Sequence, residues 1–206
     1  MIRAAAALSR VSTALRRQTD HRRWADSRNL DESWRSRTRR AAELIPDHSR
    51  VIEFGAGNRL LEQHLTPGCR YQPSDLVDRG PGTLVCDLNQ RPLPDLASYD
   101  VAVALGVLEY LHDIPSVLDW LGRRAGLCIV SYACATPRRN ALHRRYDAAL
   151  RLSYGWINTF TEDELLSLFD EHGFHCTHAE SWKTQRIFVF TRQPHTGEPK
   201  SPDRLD

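Results

Sequence analysis

The chain has few cysteines and no long apolar run. Of its 206 residues 41% are hydrophobic, but no uninterrupted apolar stretch is long enough to span a bilayer. The five cysteines are odd in number, form no C-x-x-C pair and lie mostly in apolar runs, which argues against a zinc site and favours reduced thiols. The sequence therefore predicts a cytoplasmic protein without a bound metal, built as one domain with a small extension.

Acidic residues are missing from the first 19 positions. The pattern there predicts an amphipathic helix, with Ile2, Leu8, Val11 and Leu15 along one face. Residues 1–50 hold twelve arginines and six acidic residues, so their net charge is +6, and the remainder carries −4 of the total of +2. This asymmetry suggests an electrostatic contact. We weigh three interpretations: a frayed terminus, which we favour, a helix on a membrane surface or a partner, and a transit peptide.

Residues 51–61, with the sequence VIEFGAGNRLL, are the most informative segment. The apolar run suits a buried strand, and the two glycines let the backbone turn sharply beside a ligand. A dinucleotide fingerprint needs a third glycine, but Leu60 occupies that position. The carboxylate of Glu53 would also repel a pyrophosphate, whereas it suits an ammonium group. The segment thus favours a nucleotide-like ligand other than a dinucleotide.

Three further strand-like segments follow in order. YQPSD and LVCDL each close on a carboxylate, at Asp75 and Asp87, and YDVAVALGVLEYL runs from a strand into a helix start. The EFGAG segment resembles motif I of the class I S-adenosylmethionine-dependent methyltransferases, and the YDVAVALGVLEYLHD stretch resembles motif IV. The resemblance covers residues 50–190 and identifies the cofactor better than the methyl acceptor.

The resemblance implies roles for residues at the strand ends. The Gly-x-Gly backbone would pack against the amino-acid part of S-adenosylmethionine, whose carboxylate would meet the N-terminus of a following helix. Asp75, in preference to Asp78, would hold the ribose hydroxyls. Asp87 would receive the adenine amino group, with Leu88 against the ring. The predicted cofactor-binding residues are Glu53, Gly55, Ala56, Gly57, Asp75, Asp87, Leu88 and Gly106.

The family also implies the fold. We expect an α/β, Rossmann-like, doubly wound sheet of seven mostly parallel strands, with a C-terminal antiparallel hairpin and helices on both faces. Residues 127–131 suit the fifth strand, and residues 174–181 and 186–191 suit the hairpin. Thr161 and Glu164 form a capping box that begins the helix before the hairpin.

Composition divides the chain into three parts. We predict a helical N-terminal extension over residues 1–48, in which residues 28–45 form a second helix. The resemblance implies that this helix packs across the cofactor pocket or covers the substrate, and simple packing against the sheet is an equal alternative. The methyltransferase domain would cover residues 49–192. The polar, proline-rich tail over residues 193–206 is expected to be disordered.

The acceptor should lie beyond the fourth and fifth strands, because ligands bind outside the carboxyl ends of such strands. The insertion 132–158 mixes arginines with aromatic residues, which suits an anionic acceptor with a flat part. An exposed basic helix accounts for the arginines slightly better. An oxygen or nitrogen acceptor that starts protonated needs a base, for which the candidates are His112, which follows motif IV, and then His143.

The predicted function is S-adenosylmethionine-dependent methylation of a small molecule, at oxygen or nitrogen. Residues 105–108 lack the N/D-P-P-Y signature of base methylation, and the chain has no target-recognition domain, so we expect no nucleic-acid partner. Two alternatives stay open. One is a catalytically silent member of the fold that acts through a partner, which the basic N-terminal helix favours. The other is a nicotinamide-dependent oxidoreductase, which Leu60 disfavours.

Overall fold

Seven strands form one sheet in the order β3-β2-β1-β4-β5-β7-β6. The computed structural model describes residues 2–137 and 141–193. Strands β1 to β5 run parallel, and β7 lies antiparallel between β5 and β6. The strands are β1 (Arg50–Phe54), β2 (Arg70–Asp75), β3 (Leu84–Val85), β4 (Tyr99–Leu105), β5 (Ala125–Tyr132), β6 (Phe174–Trp182) and β7 (Gln185–Arg192). This arrangement confirms the predicted Rossmann-like sheet and its C-terminal antiparallel hairpin.

Helices cover both faces of this sheet, as predicted. Ile52 and Phe54 of β1 point to one face, where they share a buried cluster with the helices after β4 and before β6. Val51 and Val101 point to the other face and pack against the helix before β1. The helices are α1 (Ile2–Leu15), α2 (His21–Ala25), α3 (Arg35–Ala42), α4 (Ile114–Gly122), α5 (Ala141–Ser153) and α6 (Glu162–Glu171).

The strand order reverses at β1, which pairs with β2 on one side and with β4 on the other. Phe54 lies opposite Ala104 in the parallel register, so the loops that leave β1 and β4 start side by side. Parallel strands buried on both faces read as continuous apolar runs, and residues 101–105 are all buried. The switch point creates a crevice at the carboxyl ends of these two strands.

The capping box at the start of α6 is confirmed. The hydroxyl of Thr161 accepts from the backbone N–H of Glu164, and the Glu164 carboxylate accepts from the N–H of Thr161. The helix ends before Gly173, whose φ of 78° places it in the left-handed region typical of a C′ residue. This helix then delivers the chain into β6.

Two helix predictions were wrong in part. No α-helix follows the Gly-x-Gly turn, where the described chain has only a short 3₁₀ turn, Glu62–His64. Arg59 adopts a φ of 55°, which breaks helix propagation, and its guanidinium donates to the carbonyl of Pro81 at 3.0 Å. The predicted helix over residues 28–45 is likewise divided, and only α3 is α-helical. The Asp31 carboxylate accepts from the N–H of Ser33 and so starts a separate 3₁₀ turn.

The N-terminal segment is not frayed in the way we expected. Helix α1 packs against α5, and Ala14 is buried. The Arg10 guanidinium donates to the carbonyl of Ser153 at 3.4 Å, which joins the two helices at one end. The predicted tail lies outside the described residues, apart from residue 193.

Candidate active site

One cavity of about 370 Å³ lies at the carboxyl ends of the central strands. Its floor comes from the loops after β1, β2, β3 and β4. Its roof comes from the N-terminal segment, and its far wall from the chain after α5 and the turn between β6 and β7. All eight predicted cofactor-binding residues are among those that line it: Glu53, Gly55, Ala56, Gly57, Asp75, Asp87, Leu88 and Gly106.

The Gly-x-Gly turn is closely covered on both sides. Gly55 and Gly57 have φ angles of 69° and 51°, which L-residues rarely adopt. A Cβ atom on Gly55 would lie 2.8 Å from Cγ2 of Val107, and one on Gly57 would lie 3.3 Å from Cδ2 of Leu30. Side chains at these positions would therefore be strained and would fill the space that the turn leaves open.

Glu53 is buried, with an exposed fraction of 4%. Its carboxylate accepts a hydrogen bond of 2.5 Å from the hydroxyl of Tyr71. Burial raises the pKa of Glu53 to about 8, although the hydrogen bond from Tyr71 and the charge of Arg37 oppose the shift. The carboxyl is thus poised near neutrality and would ionise readily beside a further cation.

The structure separates the two aspartates that follow β2. Asp75 is buried, and its carboxylate accepts from the N–H of Gly57 at 2.8 Å and pairs with Arg79. Asp78 is exposed, accepts from the N–H of Gly80 and does not line the cavity. Asp75 therefore joins the end of β2 to the Gly-x-Gly turn, while Asp78 shapes its own loop.

Asp87 is bonded to the roof. Its carboxylate accepts from the N–H of Asn89 at 2.9 Å and from the hydroxyl of Thr19 at 3.1 Å. The imidazole of His21 lies 3.3 Å from the other carboxylate oxygen. Leu88 is buried beside it. The N-terminal segment thus contacts the position to which the family resemblance assigns the adenine amino group.

Arg37 brings a buried cation to the opposite end of the cavity. Its exposed fraction is 5%, and its guanidinium donates to the side-chain oxygen of Gln185 at 2.8 Å. Gly106, with a φ of 70°, makes room for it, since a Cβ there would lie 2.9 Å from Nη1 of Arg37. Burial lowers the pKa of Arg37 to about 10, against the attraction of Glu109 and Glu53. The group remains a cation at neutral pH.

Glu109 is a fully buried carboxylate in the turn after β4. One oxygen accepts from the N–H of Ala133 at 3.0 Å, and the other has no hydrogen-bond partner among the described residues. Burial raises the pKa of Glu109, while its backbone hydrogen bonds and the charges of Arg37 and Arg151 work in the opposite direction. Glu109 ties the turn after β4 to the end of β5.

Aromatic residues form much of the remaining wall. Trp24 meets the ring of Tyr110 edge-on at 5.2 Å, and the indole N–H of Trp156 donates to the Tyr110 hydroxyl at 3.0 Å. The guanidinium of Arg23 lies 4.4 Å from the centre of the Trp24 ring. Four of the chain's five tryptophans line the cavity: Trp24, Trp34, Trp156 and Trp182.

The two candidate bases have different outcomes. His112 lines the cavity and is half-buried, and its backbone N–H donates to the side-chain oxygen of Asn89 at 2.8 Å. Its pKa is lowered, first by burial and then by the charge of Arg17, although Asp87 works in the opposite direction. These neighbours place His112 on the Asp87 side of the cavity. The side chain of His143 lies outside the described part of the structure.

The arginines of the insertion do not act as a group. Arg145 is exposed, as expected for a solvated basic helix. Arg151 is buried instead, and its guanidinium donates to the carbonyls of Asn158 and Ala133 and to the hydroxyl of Tyr132. Its guanidinium lies 4.9 Å from the centre of the Trp156 ring, so it supports the cavity wall from the side away from the cavity. Residues 138–140 lie outside the described part, and nothing is described of the side chain of Arg144.

Sequence reasoning offered the segment 28–45 as a cover of the pocket only as one of two equal alternatives, and it missed the part of the roof before residue 28. Residues 10–38 contribute Arg10, Thr13, Ala14, Gln18, Thr19, Asp20, Arg23, Trp24, Leu30, Asp31, Ser33, Trp34, Arg37 and Thr38 to the lining. The signal that could have found it is the pair of tryptophans, Trp24 and Trp34, in an otherwise polar and basic stretch. Large aromatic residues in such a context need a partner surface.

Within the described residues, no three histidine, cysteine or acidic side chains are grouped so that they could hold a metal ion. No helix in the described ranges is both long enough and apolar enough to cross a membrane.

A family model described as a methyltransferase domain matches residues 26–179, which is most of the chain. The chain belongs to this methyltransferase domain family. The match confirms the resemblance to class I methyltransferases drawn from the order of the motifs. It begins at residue 26, inside the segment predicted as an extension. Comparison with curated protein sequences gives no match.

Solved structures with the same fold include several methyltransferases. One is 1,6-didemethyltoxoflavin-N1-methyltransferase from Burkholderia thailandensis, with bound 1,6-didemethyltoxoflavin and S-adenosylhomocysteine. It is 17% identical and has a TM-score of 0.61, and the match covers 79% of this chain and 82% of that one. Human N-acetylserotonin methyltransferase in complex with S-adenosylmethionine is 17% identical and has a TM-score of 0.61. The match covers 84% of this chain and 56% of that one.

The mitomycin 7-O-methyltransferase MmcR is 16% identical, with 81% of this chain covered and a TM-score of 0.61. This methyltransferase domain spans only 56% of that protein. At these identities the similarity shows a shared fold.

The buried carboxyl of Glu53 predicts a pH dependence of stability. Unfolded, Glu53 ionises near 4.5, whereas the folded value is about 8, so between these values the folded state holds a proton that the unfolded state has lost. Its contribution to stability is therefore lost as the pH rises through this window. Glu53→Gln keeps an acceptor for Tyr71 and cannot ionise. We expect its free energy of unfolding, relative to the parent, to rise by about 1 kcal/mol per pH unit between about pH 5 and about pH 8.

Urea unfolding of both proteins at several pH values measures this difference directly. A difference that stays constant across the window would contradict the burial-driven shift.

Proposed function

We propose that this chain uses S-adenosylmethionine to methylate a flat, aromatic small molecule at oxygen or nitrogen. The observation that carries the proposal is that one cavity joins a Gly-x-Gly turn and three strand-end carboxylates to a wall with four of the five tryptophans. The family match and the solved structures with S-adenosylmethionine or S-adenosylhomocysteine support this cofactor.

The residues present fit such a cofactor. The two ends of an amino acid need opposite charges, and the cavity offers the carboxyl of Glu53 to an ammonium and the guanidinium of Arg37 to a carboxylate. Asp75 would hold the ribose hydroxyls. Asp87 would accept from the adenine amino group. When bound, S-adenosylmethionine supplies a methyl group made electrophilic by its sulfonium.

Arg37 replaces the helix N-terminus that we expected to hold the carboxylate, since no α-helix follows the turn in the described chain. Its Nε is buried without a hydrogen-bond partner among the described residues, so an anionic group would satisfy a donor that is otherwise unpaired. The ring centres of Trp34 and Trp182 lie 5.4 and 5.6 Å from Cζ of the guanidinium, and the two rings hold it in place.

The acceptor would stack against the aromatic wall. Trp24 and Trp156 both contact Tyr110, and all three side chains line the cavity beside the loop after β4. Aromatic walls of this kind suit ring-shaped ligands. The bound 1,6-didemethyltoxoflavin of the Burkholderia thailandensis enzyme supports this class of acceptor. An anionic character of the acceptor stays a prediction, because both arginines and carboxylates line the cavity.

The chain's own contribution to methyl transfer is mainly alignment and exclusion of water, which the roof and the aromatic wall would provide. His112 is our candidate for the base that accepts the proton of an acceptor hydroxyl or amine. Its lowered pKa keeps the ring neutral near pH 7, and a neutral imidazole can accept a proton.

A second candidate function, a catalytically silent member of the fold, is favoured by one observation. Thr19 and His21 already contact the carboxylate that the adenine amino group would use. The first test is therefore calorimetric titration with S-adenosylmethionine and S-adenosylhomocysteine. Micromolar binding of both supports the methyltransferase, and no binding by the folded protein favours the silent alternative.

Asp75 and Asp78 offer a matched pair for the same titration. Asp75→Asn should weaken the binding of S-adenosylmethionine about tenfold or more, because it replaces one of the two acceptor oxygens with an amide donor and removes the charge that fixes Gly57. Asp78→Asn, three residues on and outside the cavity, should bind as the parent does. Equal affinities of the two variants would refute the role of Asp75.

Alanine substitutions at two glycines distinguish the effect of displacing Arg37 from the effect of backbone strain. Gly106 and Gly82 have φ angles of 70° and 79°, so alanine at either should cost about 1–2 kcal/mol of stability. Only at Gly106 would the added Cβ meet Arg37, since nothing lies within 4 Å at Gly82. We expect Gly106→Ala, and not Gly82→Ala, to weaken the titration with S-adenosylmethionine about tenfold. Comparable losses in both variants would show that Arg37 is not involved.

His112→Ala tests the base. With a phenol or aromatic amine that the parent methylates, turnover should fall about a hundredfold, while cofactor binding stays within about twofold of the parent. The loss should be smaller for an acceptor that is already ionised at the assay pH. Full turnover with intact cofactor binding would eliminate His112 as the base.

A further inference from the structure

Exposed apolar side chains are concentrated on one pair of helices. Among the described residues, seven large hydrophobic side chains are strongly exposed, and six of them lie on α1, on α5 or just after α5: Leu8, Leu15, Leu142, Tyr146, Leu150 and Tyr154. Leu8 and Leu15 are 70% and 69% exposed, more than any buried role allows. An apolar surface of this kind marks an interaction site.

The spacing puts these side chains into stripes. Leu8 and Leu15 are two helical turns apart on α1, and Tyr146 and Leu150 are one turn apart on α5. The two helices pack against each other. Thr13 and Ala14 lie on another side of α1 and line the cavity, which fixes α1 to the body of the protein. We call the exposed side of α1 and α5 the α1–α5 face.

The charge of this face is positive. Residues 1–19 contain no acidic residue. Arg10 and Arg17 donate to the carbonyls of Ser153 and His112, so the described arginines that the structure leaves to this face are Arg16 and Arg145. Arg16 is exposed next to Leu15, and Arg145 is exposed next to Tyr146. A second copy of the chain would place one basic face against another, and this repulsion disfavours self-association. An anionic occupant with an apolar interior matches both the charge and the leucines.

We propose that the α1–α5 face docks on the surface of an anionic lipid bilayer. Leu8, Leu15 and Tyr146 would enter the boundary between headgroups and acyl chains, and the arginines beside them would meet lipid phosphates. Docking would be peripheral, because no helix of the described chain can span a membrane. Since Thr13 and Ala14 belong to the cavity, the docked protein would hold its roof close to the bilayer.

Co-sedimentation of the full chain with vesicles tests this proposal. One set of vesicles contains equal parts of phosphatidylglycerol and phosphatidylcholine, and the other contains phosphatidylcholine alone. We expect binding to the first set, weakened by salt, and at least about tenfold weaker binding to the second. No binding to the anionic vesicles, or equal binding to both sets, would overturn the proposal.

Three variants locate the binding surface. Leu8→Ser/Leu15→Ser removes apolar side chains, and Arg16→Glu/Arg145→Glu reverses two exposed charges, so each should weaken vesicle binding about tenfold or more. Val85→Ser is the matched control, because Val85 is 57% exposed but lies on β3. If the leucine variant fails to fold, the charge variant decides, since both of its arginines are exposed. Vesicle binding retained by the folded charge variant would overturn the proposal.

Sedimentation equilibrium tests the competing occupant of the α1–α5 face, which is a second copy of the chain. A dimer that dissociates in Leu8→Ser/Leu15→Ser, without vesicle binding by the parent, would show that the face is an interface between two copies. The experiment needs neither cofactor nor acceptor, so its failure would leave the proposed methyl transfer untouched.

Discussion

The candidate site depends on one buried guanidinium, that of Arg37. It comes from a helix that precedes the sheet, and it reaches the ends of β1 and β4, where it attracts the carboxyls of Glu53 and Glu109. An isolated buried charge is costly, whereas a charge with buried partners and a hydrogen bond to Gln185 is tolerated. The arrangement requires Gly106 below it, because a side chain there would collide with Arg37. The N-terminal segment, the sheet and the C-terminal hairpin therefore meet at one group.

This arrangement also explains the unusual titration of the site. Burial shifts the pKa values of Glu53 and Arg37 toward neutrality from opposite sides, to about 8 and about 10. Each shift is limited by the other group's charge, and at neutral pH Arg37 stays a cation while Glu53 is mostly protonated. A zwitterionic ligand would supply the missing counter-charge at both ends at once. Such a cavity favours an amino acid over a pyrophosphate, as the sequence of the turn had indicated.

The sequence predicted those parts of the site that follow from the sheet itself. Asp75 ends β2 and Asp87 comes two residues after β3, and parallel strands bring their carboxyl ends to one edge, so motif order was enough to place them. The contacts of the roof were not predictable in this way. Arg37 and Gln185 are separated by 148 positions, and no local pattern connects them. The prediction of a helix after the Gly-x-Gly turn was wrong because Arg59 takes a left-handed conformation. The residue type alone does not predict that conformation.

The contact between the roof and Asp87 has a thermodynamic consequence for cofactor binding. Thr19 and His21 use the carboxylate that the adenine amino group would use. If both cannot be satisfied together, cofactor binding weakens the hold of the roof at this end, and by linkage a roof held there weakens cofactor binding by the same factor. At the other end Arg37 acts in the opposite sense, because a bound carboxylate would strengthen its attachment. Trp24 lies on the same short helix, α2, as His21, so a movement that frees Asp87 would also move one side of the aromatic wall.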